Sequence, residues 1–257
     1  MQRTKVLRRR RAPALALFTD FGWSGPYVGQ VKAVLLREAP GVPVIDLLHD
    51  APSFNPRAAG YLLAALGPEL PAGTVLVCVV DPGVGSERRP VMLHADGRWY
   101  VGPDNGLLNV VARQARATRW WEITWRPQRL SSTFHGRDLF TPVAAQLALG
   151  KSPPGREVDP PAGLERWPAD LAEVIYLDLY GNAASGLRAK ALPPDSFLRV
   201  RDRCFQPVNT FADAPPGTAV WYENSNGLAE LAINQGSAAA SCGLAVGTPV
   251  SVEDECA

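Results

Sequence analysis

The chain has 257 residues, 46% of them hydrophobic and 20% charged, which is enough to bury a core without disulfide or metal staples and too apolar for a disordered segment. Its formal net charge of +1 is unevenly spread: Arg3, Lys5 and Arg8 to Arg11 place six positive charges in residues 1–12, leaving −5 for the remainder. The folded body therefore offers no broad basic face for nucleic acid, and no window supplies the roughly 18 apolar residues of a membrane span.

The apolar run after the basic stretch, residues 14–18, is too short for the core of a signal peptide, so residues 1–12 read as a solvated tail. Cys78, Cys204, Cys242 and Cys256 show no CxxC spacing, which suits a reducing compartment, argues against a zinc site and makes a cytoplasmic protein the expectation. In chain order, residues 14–19 read as a strand ending at Asp20-Phe21-Gly22, and 27–37 as a helix. Residues 42–48 form a β-branched strand ending at His49-Asp50, 57–66 a second helix, and 74–80 the strongest strand, ending at Asp81-Pro82-Gly83-Val84-Gly85-Ser86. Continuous apolar strands alternating with helices predict an N-terminal three-layer α/β domain around a mostly parallel sheet. Asp96-Gly97 predicts a hairpin between 91–94 and 99–101, and 107–115 and 139–149 read as further helices. Five prolines make 152–168 a linker rather than an element. Short strands then recur at 174–178, 197–201, 219–222, 228–233 and 249–252, which predicts a small antiparallel β domain. The expected organisation is an α/β domain over 13–151, a proline-rich linker over 152–168 and a β domain over 169–257.

Polar residues gather at the carboxyl ends of the predicted strands, where open α/β sheets place their ligands. Asp-Pro-Gly is also good turn chemistry, but an acid or histidine after each of three apolar strands points to one polar rim. Several stock chemistries are excluded. Gly150-Lys151-Ser152 resembles the end of a phosphate-binding loop, yet Pro153-Pro154 forbids the helix that must follow. There is no GxSxG, HExxH or GxGxxG, and the three histidines are not at metal-ligand spacing, so no metal is expected. His94, on a hairpin, reads as structural. The run Thr133-Phe134-His135-Gly136-Arg137-Asp138 carries a hydroxyl, an imidazole, a guanidinium and a carboxylate just before an apolar helix, more than a helix cap requires. Asp178-Leu179-Tyr180-Gly181-Asn182 ends a strand, and Glu223-Asn224-Ser225-Asn226-Gly227 reads as a polar turn, or as a plain Asn-Gly hairpin.

These segments, in this order, resemble the S-adenosyl-L-methionine hydroxide adenosyltransferases, or SAM hydrolases, which are related to fluorinating and chlorinating enzymes. The likeness is carried by Thr19-Asp20-Phe21-Gly22 with Tyr27-Val28-Gly29, Ile45-Asp46-Leu47-Leu48-His49, Val80-Asp81-Pro82-Gly83-Val84-Gly85 with Arg88-Arg89, Val101-Gly102-Pro103-Asp104-Asn105-Gly106, Phe134-His135-Gly136-Arg137-Asp138, Asp178 with Gly181-Asn182, and Asn224-Ser225. The resemblance implies a homotrimer whose active sites lie between the α/β domain of one subunit and the β domain of the next. It implies hydrolysis of S-adenosyl-L-methionine to adenosine and L-methionine by water or hydroxide at the ribose C5′ carbon, without a cofactor. Its catalytic triad falls on Asp81, Arg88 and His135. It assigns Asp20 to the ribose hydroxyls, Phe54 and Tyr180 to apolar walls, Asp178 to the methionine ammonium, Asn182 to adenine and Ser225 to the methionine carboxylate. The chain departs from the pattern at Trp23-Ser24-Gly25, which lacks a second acid, at Ser185-Gly186 and at Asn226. Two other functions compete: a SAM- or adenosine-binding module without turnover, and a halogenase. The eleven residues between Arg89 and Val101, and Gly136 where halogenases carry a halide-binding serine, argue against the halogenase.

Overall fold

The computed structural model describes residues 12–255; the basic stretch 1–11 and Cys256 lie outside the described residues. The elements are, in chain order, β1 (Leu15–Thr19), α1 (Tyr27–Glu38), β2 (Val44–Leu48), α2 (Pro56–Leu66), β3 (Val75–Val79), β4 (Pro90–Ala95), β5 (Arg98–Pro103), α3 (Asn109–Gln114), β6 (Thr118–Ile123), α4 (Thr141–Ala148) and β7 (Gly155–Val158). They continue as β8 (Leu171–Leu177), β9 (Ala183–Arg188), β10 (Phe197–Val200), β11 (Arg203–Pro207), β12 (Ala219–Glu223), β13 (Leu228–Ile233), α5 (Ala238–Cys242) and β14 (Ser251–Glu253). The chain divides into two compact units. The first comprises the residues up to Asp50, Glu69–Leu108 and Ala115–Ala162; the second comprises Ala51–Pro68, Asn109–Gln114 and the residues from Gly163 on.

The first unit is built on a seven-stranded sheet in the order β2-β1-β3-β5-β4-β6-β7. β1 and β3 are buried along their whole length, which is why their sequences are unbroken apolar runs. The register pairs Leu15 with Val75 and Thr19 with Val79, so both strands end at one level and deliver Asp20 and Asp81 to the same edge. Leu15, Leu17, Val75 and Val77 form a core with Phe140, Val143 and Leu147 from the α4 region. The sheet is mixed, not mostly parallel. β2, β1, β3 and β5 run parallel, but Asp96 and Gly97, both with positive φ, fold β4 back onto β5, and a two-residue hairpin makes antiparallel neighbours only. β6 and β7 extend that antiparallel half. β7 lies inside the stretch read from sequence as a linker: it sits between the proline pairs at 153–154 and 160–161, at the sheet edge where they break no ladder.

Helices α2 and α3, expected to cover the first sheet, cluster with the second unit, where α2 lies on α3 and β8. Asn55 starts α2 by accepting from the Ala58 amide, with Pro56 at the first helical position. This unit's sheet, β14-β10-β11-β12-β13-β9-β8, is also mixed rather than antiparallel. β11 and β12 pair in parallel because residues 208–218 cross over through a short turn whose capping box joins Thr210 and Asp213. Its core gathers Val174, Leu198, Phe205, Trp221 and Leu231.

Cys78 and Cys242 are free thiols, but Cys204 is disulfide-bonded, so the cysteines as a set do not argue for a reducing compartment. Among the described residues, no helix is long and apolar enough to cross a membrane.

Candidate active site

Asp81 stands two residues past β3, at the start of a turn closed by the Val84 amide on the Asp81 carbonyl and the Ser86 amide on the Gly83 carbonyl. Gly85 has φ +82°, and a Cβ there would lie 2.6 Å from the Ser132 carbonyl oxygen. Only glycine lets this turn approach the segment that carries His135. The turn brings Arg88 back onto Asp81. Arg88 Nε lies 2.8 and 2.9 Å from the two carboxylate oxygens, and Nη2 also donates to Oδ2. Nη2 reaches His135 Nδ1 as well, at 3.0 Å. The side chains of Arg88 and Asp81 are only 8% and 4% exposed, so each charge depends on the other for solvation.

The three groups fix one another's states. A guanidinium only donates, so Nδ1 of His135 must accept, and the imidazole proton sits on Nε2. Burial, followed by the neighbouring Arg88 charge, holds the His135 pKa below its ordinary value of 6.5, against the opposing pull of Asp81. The ring is therefore neutral at physiological pH and presents an N–H. His135 does not act as a helix cap: its side chain makes no capping bond, and a π-turn, Gly136–Phe140, follows it. Such turns are frequent at functional sites. Asp138 accepts the Ser131 amide at 2.9 Å, while Arg137 pairs with Asp138 and donates to Gln30 of α1 at 2.7 Å. These bonds hold the His135 segment from both sides. Asp20, half-buried, follows β1 in the same unit, and its amide donates to the Val79 carbonyl at 3.2 Å.

The second unit holds the other five predicted residues. Asp178 Oδ1 accepts the Tyr180 and Asn182 amides at 2.9 and 2.8 Å, and Oδ2 accepts Asn182 Nδ2 at 2.9 Å. The carboxylate thus shapes its own turn while keeping a lone pair on Oδ2 to spare. Gly181 at φ +84° completes that turn, and a Cβ there would meet Ser237 Oγ at 2.0 Å. Tyr180 is left 78% exposed. With Asn182 it lines a cavity of about 620 Å³ whose other walls include Phe211 and Gln235. Phe211 was not expected from the sequence; a phenylalanine in a polar loop before a Pro-Pro turn carries no local signal beyond its polar surroundings. Ser225 sits exposed at the tip of the β12–β13 hairpin, whose Asn224 Oδ1 accepts the Asn226 and Leu228 amides. Phe54 is 80% exposed at φ +59°. A left-handed, bulky residue costs roughly 1–3 kcal/mol and tends to persist at ligand sites; Gln235, at φ +57°, is a second one. Neither Phe54 nor Ser225 lines the cavity with Tyr180.

A separate cavity of about 770 Å³ in the first unit lies between Trp99, Trp121, His94 and Arg119, at the amino ends of the parallel strands. It is at the opposite end of the strands from Asp81, and ligands of such sheets bind at the carboxyl ends.

The sequence matches two family models, the SAM hydroxide adenosyltransferase N-terminal domain over residues 15–156 and the C-terminal domain over 172–251. It is 42% identical over 251 residues to an (R)-S-adenosyl-L-methionine hydrolase of Thermus thermophilus, covering 90% of this chain and 96% of that one. It is 41% identical to the hydrolase of that name from Salinispora arenicola, over 88% and 92% of the two chains. A fluorinase of Actinopolyspora mzabensis is more distant, at 26% identity over 93% and 97%. Among solved structures, an uncharacterised conserved protein from Thermotoga maritima superposes with a TM-score of 0.84 at 29% identity, over 93% of this chain and 99% of that one.

Proposed function

This chain belongs to the SAM hydroxide adenosyltransferase family, and from that premise we propose that it hydrolyses S-adenosyl-L-methionine to adenosine and L-methionine. The observation that carries the reading is the Asp81–Arg88–His135 cluster, a buried carboxylate that holds a guanidinium, which in turn donates to the imidazole. The oxygen of water or hydroxide attacks C5′, the C5′–S bond breaks, and its electron pair neutralises the sulfonium to the thioether of methionine; where water is the nucleophile, its surplus proton leaves to solvent. The leaving group needs no acid, and the sulfonium activates the carbon without a cofactor. What the protein must supply is a nucleophile held in line and stabilised as it gains hydroxide character. Arg88 and the Nε2–H of His135 are donors suited to that oxygen, and Asp81 keeps the guanidinium fork aimed.

In this reading Asp20 accepts the ribose hydroxyls, Asp178 meets the methionine ammonium, Tyr180 stacks on adenine and Asn182 hydrogen-bonds it, Ser225 holds the methionine carboxylate and Phe54 forms an apolar wall. The exposure of Phe54 and Tyr180 supports a homotrimer in which the two domains of different subunits complete each site. Hydrolysis is favoured over halogenation by Gly136: a Cβ there would meet the Phe21 ring at 3.0 Å, so a serine would fit only with a shift of that ring by a few tenths of an ångström. The test is chromatography of the products from labelled S-adenosyl-L-methionine. Adenosine and methionine in equal amounts are expected; tight binding without turnover would favour the non-catalytic module instead.

A further inference from the structure

Outside the triad, a buried polar network in the first unit is centred on His49. This residue is fully buried just past β2. Its Nδ1 lies 2.8 Å from Thr19 Oγ1, and its Nε2 lies 3.1 Å from Asp46 Oδ1. The other Asp46 oxygen accepts from Lys32 of α1 at 2.8 Å. Burial alone would raise the Asp46 carboxyl, but the Lys32 and His49 hydrogen bonds hold its pKa below the ordinary value, so it is ionised. An ionised carboxylate only accepts, which places the imidazole proton on Nε2. Nδ1 then accepts from the Thr19 hydroxyl, and the Thr19 oxygen keeps a lone pair for the Phe21 amide, 3.4 Å away. This arrangement of protons satisfies the whole chain from Lys32 to Phe21.

The network ends on both sides of Asp20. Thr19 precedes it; after it, the Gly22 amide donates to the His49 carbonyl at 2.6 Å, and the Trp23 ring stands edge-on to the imidazole at 4.6 Å and 88°. Residues 19 and 21–23 are thus all bound to His49 or to the hydroxyl it holds. A strand end needs no buried imidazole to terminate. A carboxylate that must meet two ribose hydroxyls needs a backbone fixed to within a fraction of an ångström.

We propose that His49 and Asp46 are positioning residues, which set Asp20 for the ribose hydroxyls through Thr19 and the Gly22 amide. This rests on the reading of Asp20 as the ribose acceptor. Neither residue touches substrate, and their effect passes entirely through the 19–23 segment. The same network gives Trp23 a role: in the place where the family pattern suggests a second acid two residues on, this chain has an exposed indole anchored on His49.

The test compares the binding of adenosine and 2′-deoxyadenosine by calorimetry in the wild type, Thr19→Val, His49→Gln and Asp20→Asn. Thr19→Val removes the hydroxyl at nearly constant volume and keeps the assay informative if His49→Gln folds poorly. The expected result is that both variants lose about tenfold of the preference for adenosine, the value of a misplaced charge-assisted hydrogen bond, with KM for S-adenosyl-L-methionine rising more than kcat falls. A purely structural role would lower the melting temperature and leave the preference intact. If Asp20→Asn abolishes the preference while folded Thr19→Val and His49→Gln retain it, the positioning role is overturned and the reading of Asp20 stands. If Asp20→Asn also retains it, both fall.

Discussion

The Asp81 cluster and the Tyr180 cavity differ in how complete they are before any ligand arrives. Around Asp81 the charges are paired, the Asp81 and Arg88 side chains are almost wholly buried, and the imidazole tautomer is set by its neighbour. Around Tyr180 the side chains of Asp178 and Asn182 brace their own turn, Asp178 keeps acceptor capacity, and the aromatic ring faces solvent. In the proposed reading, the difference follows from what each must do. Stabilising a developing hydroxide demands donors that do not reorganise, which burial and ion pairing provide. Gripping a base and an amino acid demands open faces that the ligand, or another copy of the chain, then covers.

The largest effect should come from breaking the finished cluster. Arg88→Ala removes the proposed donor to the nucleophile and strands Asp81, so turnover should fall about 10²–10⁴-fold and stability, by denaturant unfolding, by about 3–5 kcal/mol. Arg88→Lys should recover little of either, because an ammonium cannot match the guanidinium fork. His135→Ala should lower kcat by about 10²-fold or more while adenosine affinity, measured by calorimetry, stays near wild type. A variant with normal turnover would reduce His135 to a packing residue.

At the open site the same kind of truncation should act on binding. Tyr180→Ala should weaken adenosine by about tenfold, as the loss of one aromatic face from a base does, with little change in kcat; Tyr180→Phe should be nearly silent. Equal effects on kcat and KM would erase the distinction between the two regions. The smallest effect concerns pH. The His135 pKa lies below 6.5, so the unfolded chain binds its proton first as pH falls. The contribution to stability is complete above 6.5 and is lost as pH drops from there through the lowered folded value. Turnover should hold on the acid side past 6.5 and fall only when the ring protonates and turns an N–H toward Arg88. A pH–rate profile with its acid limb at or above 6.5 would contradict this state of the ring.

What the sequence revealed of this molecule was its local chemistry. The acids after β1 and β3, the Asp96-Gly97 hairpin and the dense polar run at His135 are all contained in a few adjacent residues, and the triad members lie in two such runs. What it hid was set by partners far along the chain. β9 has only small residues between Ala183 and Gly186, and reads as a strand only once Leu171 packs where a Gly186 Cβ would be, at 2.6 Å. Ser185 looked like a departure in a ligand-contacting segment; it is buried and donates to the Ala229 carbonyl at 2.7 Å. The allegiance of α2 to the second unit depends on β8, more than a hundred residues away in the chain, and the network around His49 joins Thr19 of β1, Asp46 of β2 and, through Asp46, Lys32 of α1.

The central claim is that an oxygen from water is placed on C5′ of S-adenosyl-L-methionine. Turnover in water enriched in oxygen-18, followed by mass spectrometry of both products, tests it most directly. The account predicts adenosine carrying one heavy oxygen at its 5′ position and methionine carrying none. Unlabelled adenosine, or heavy oxygen on the amino-acid product, would contradict it.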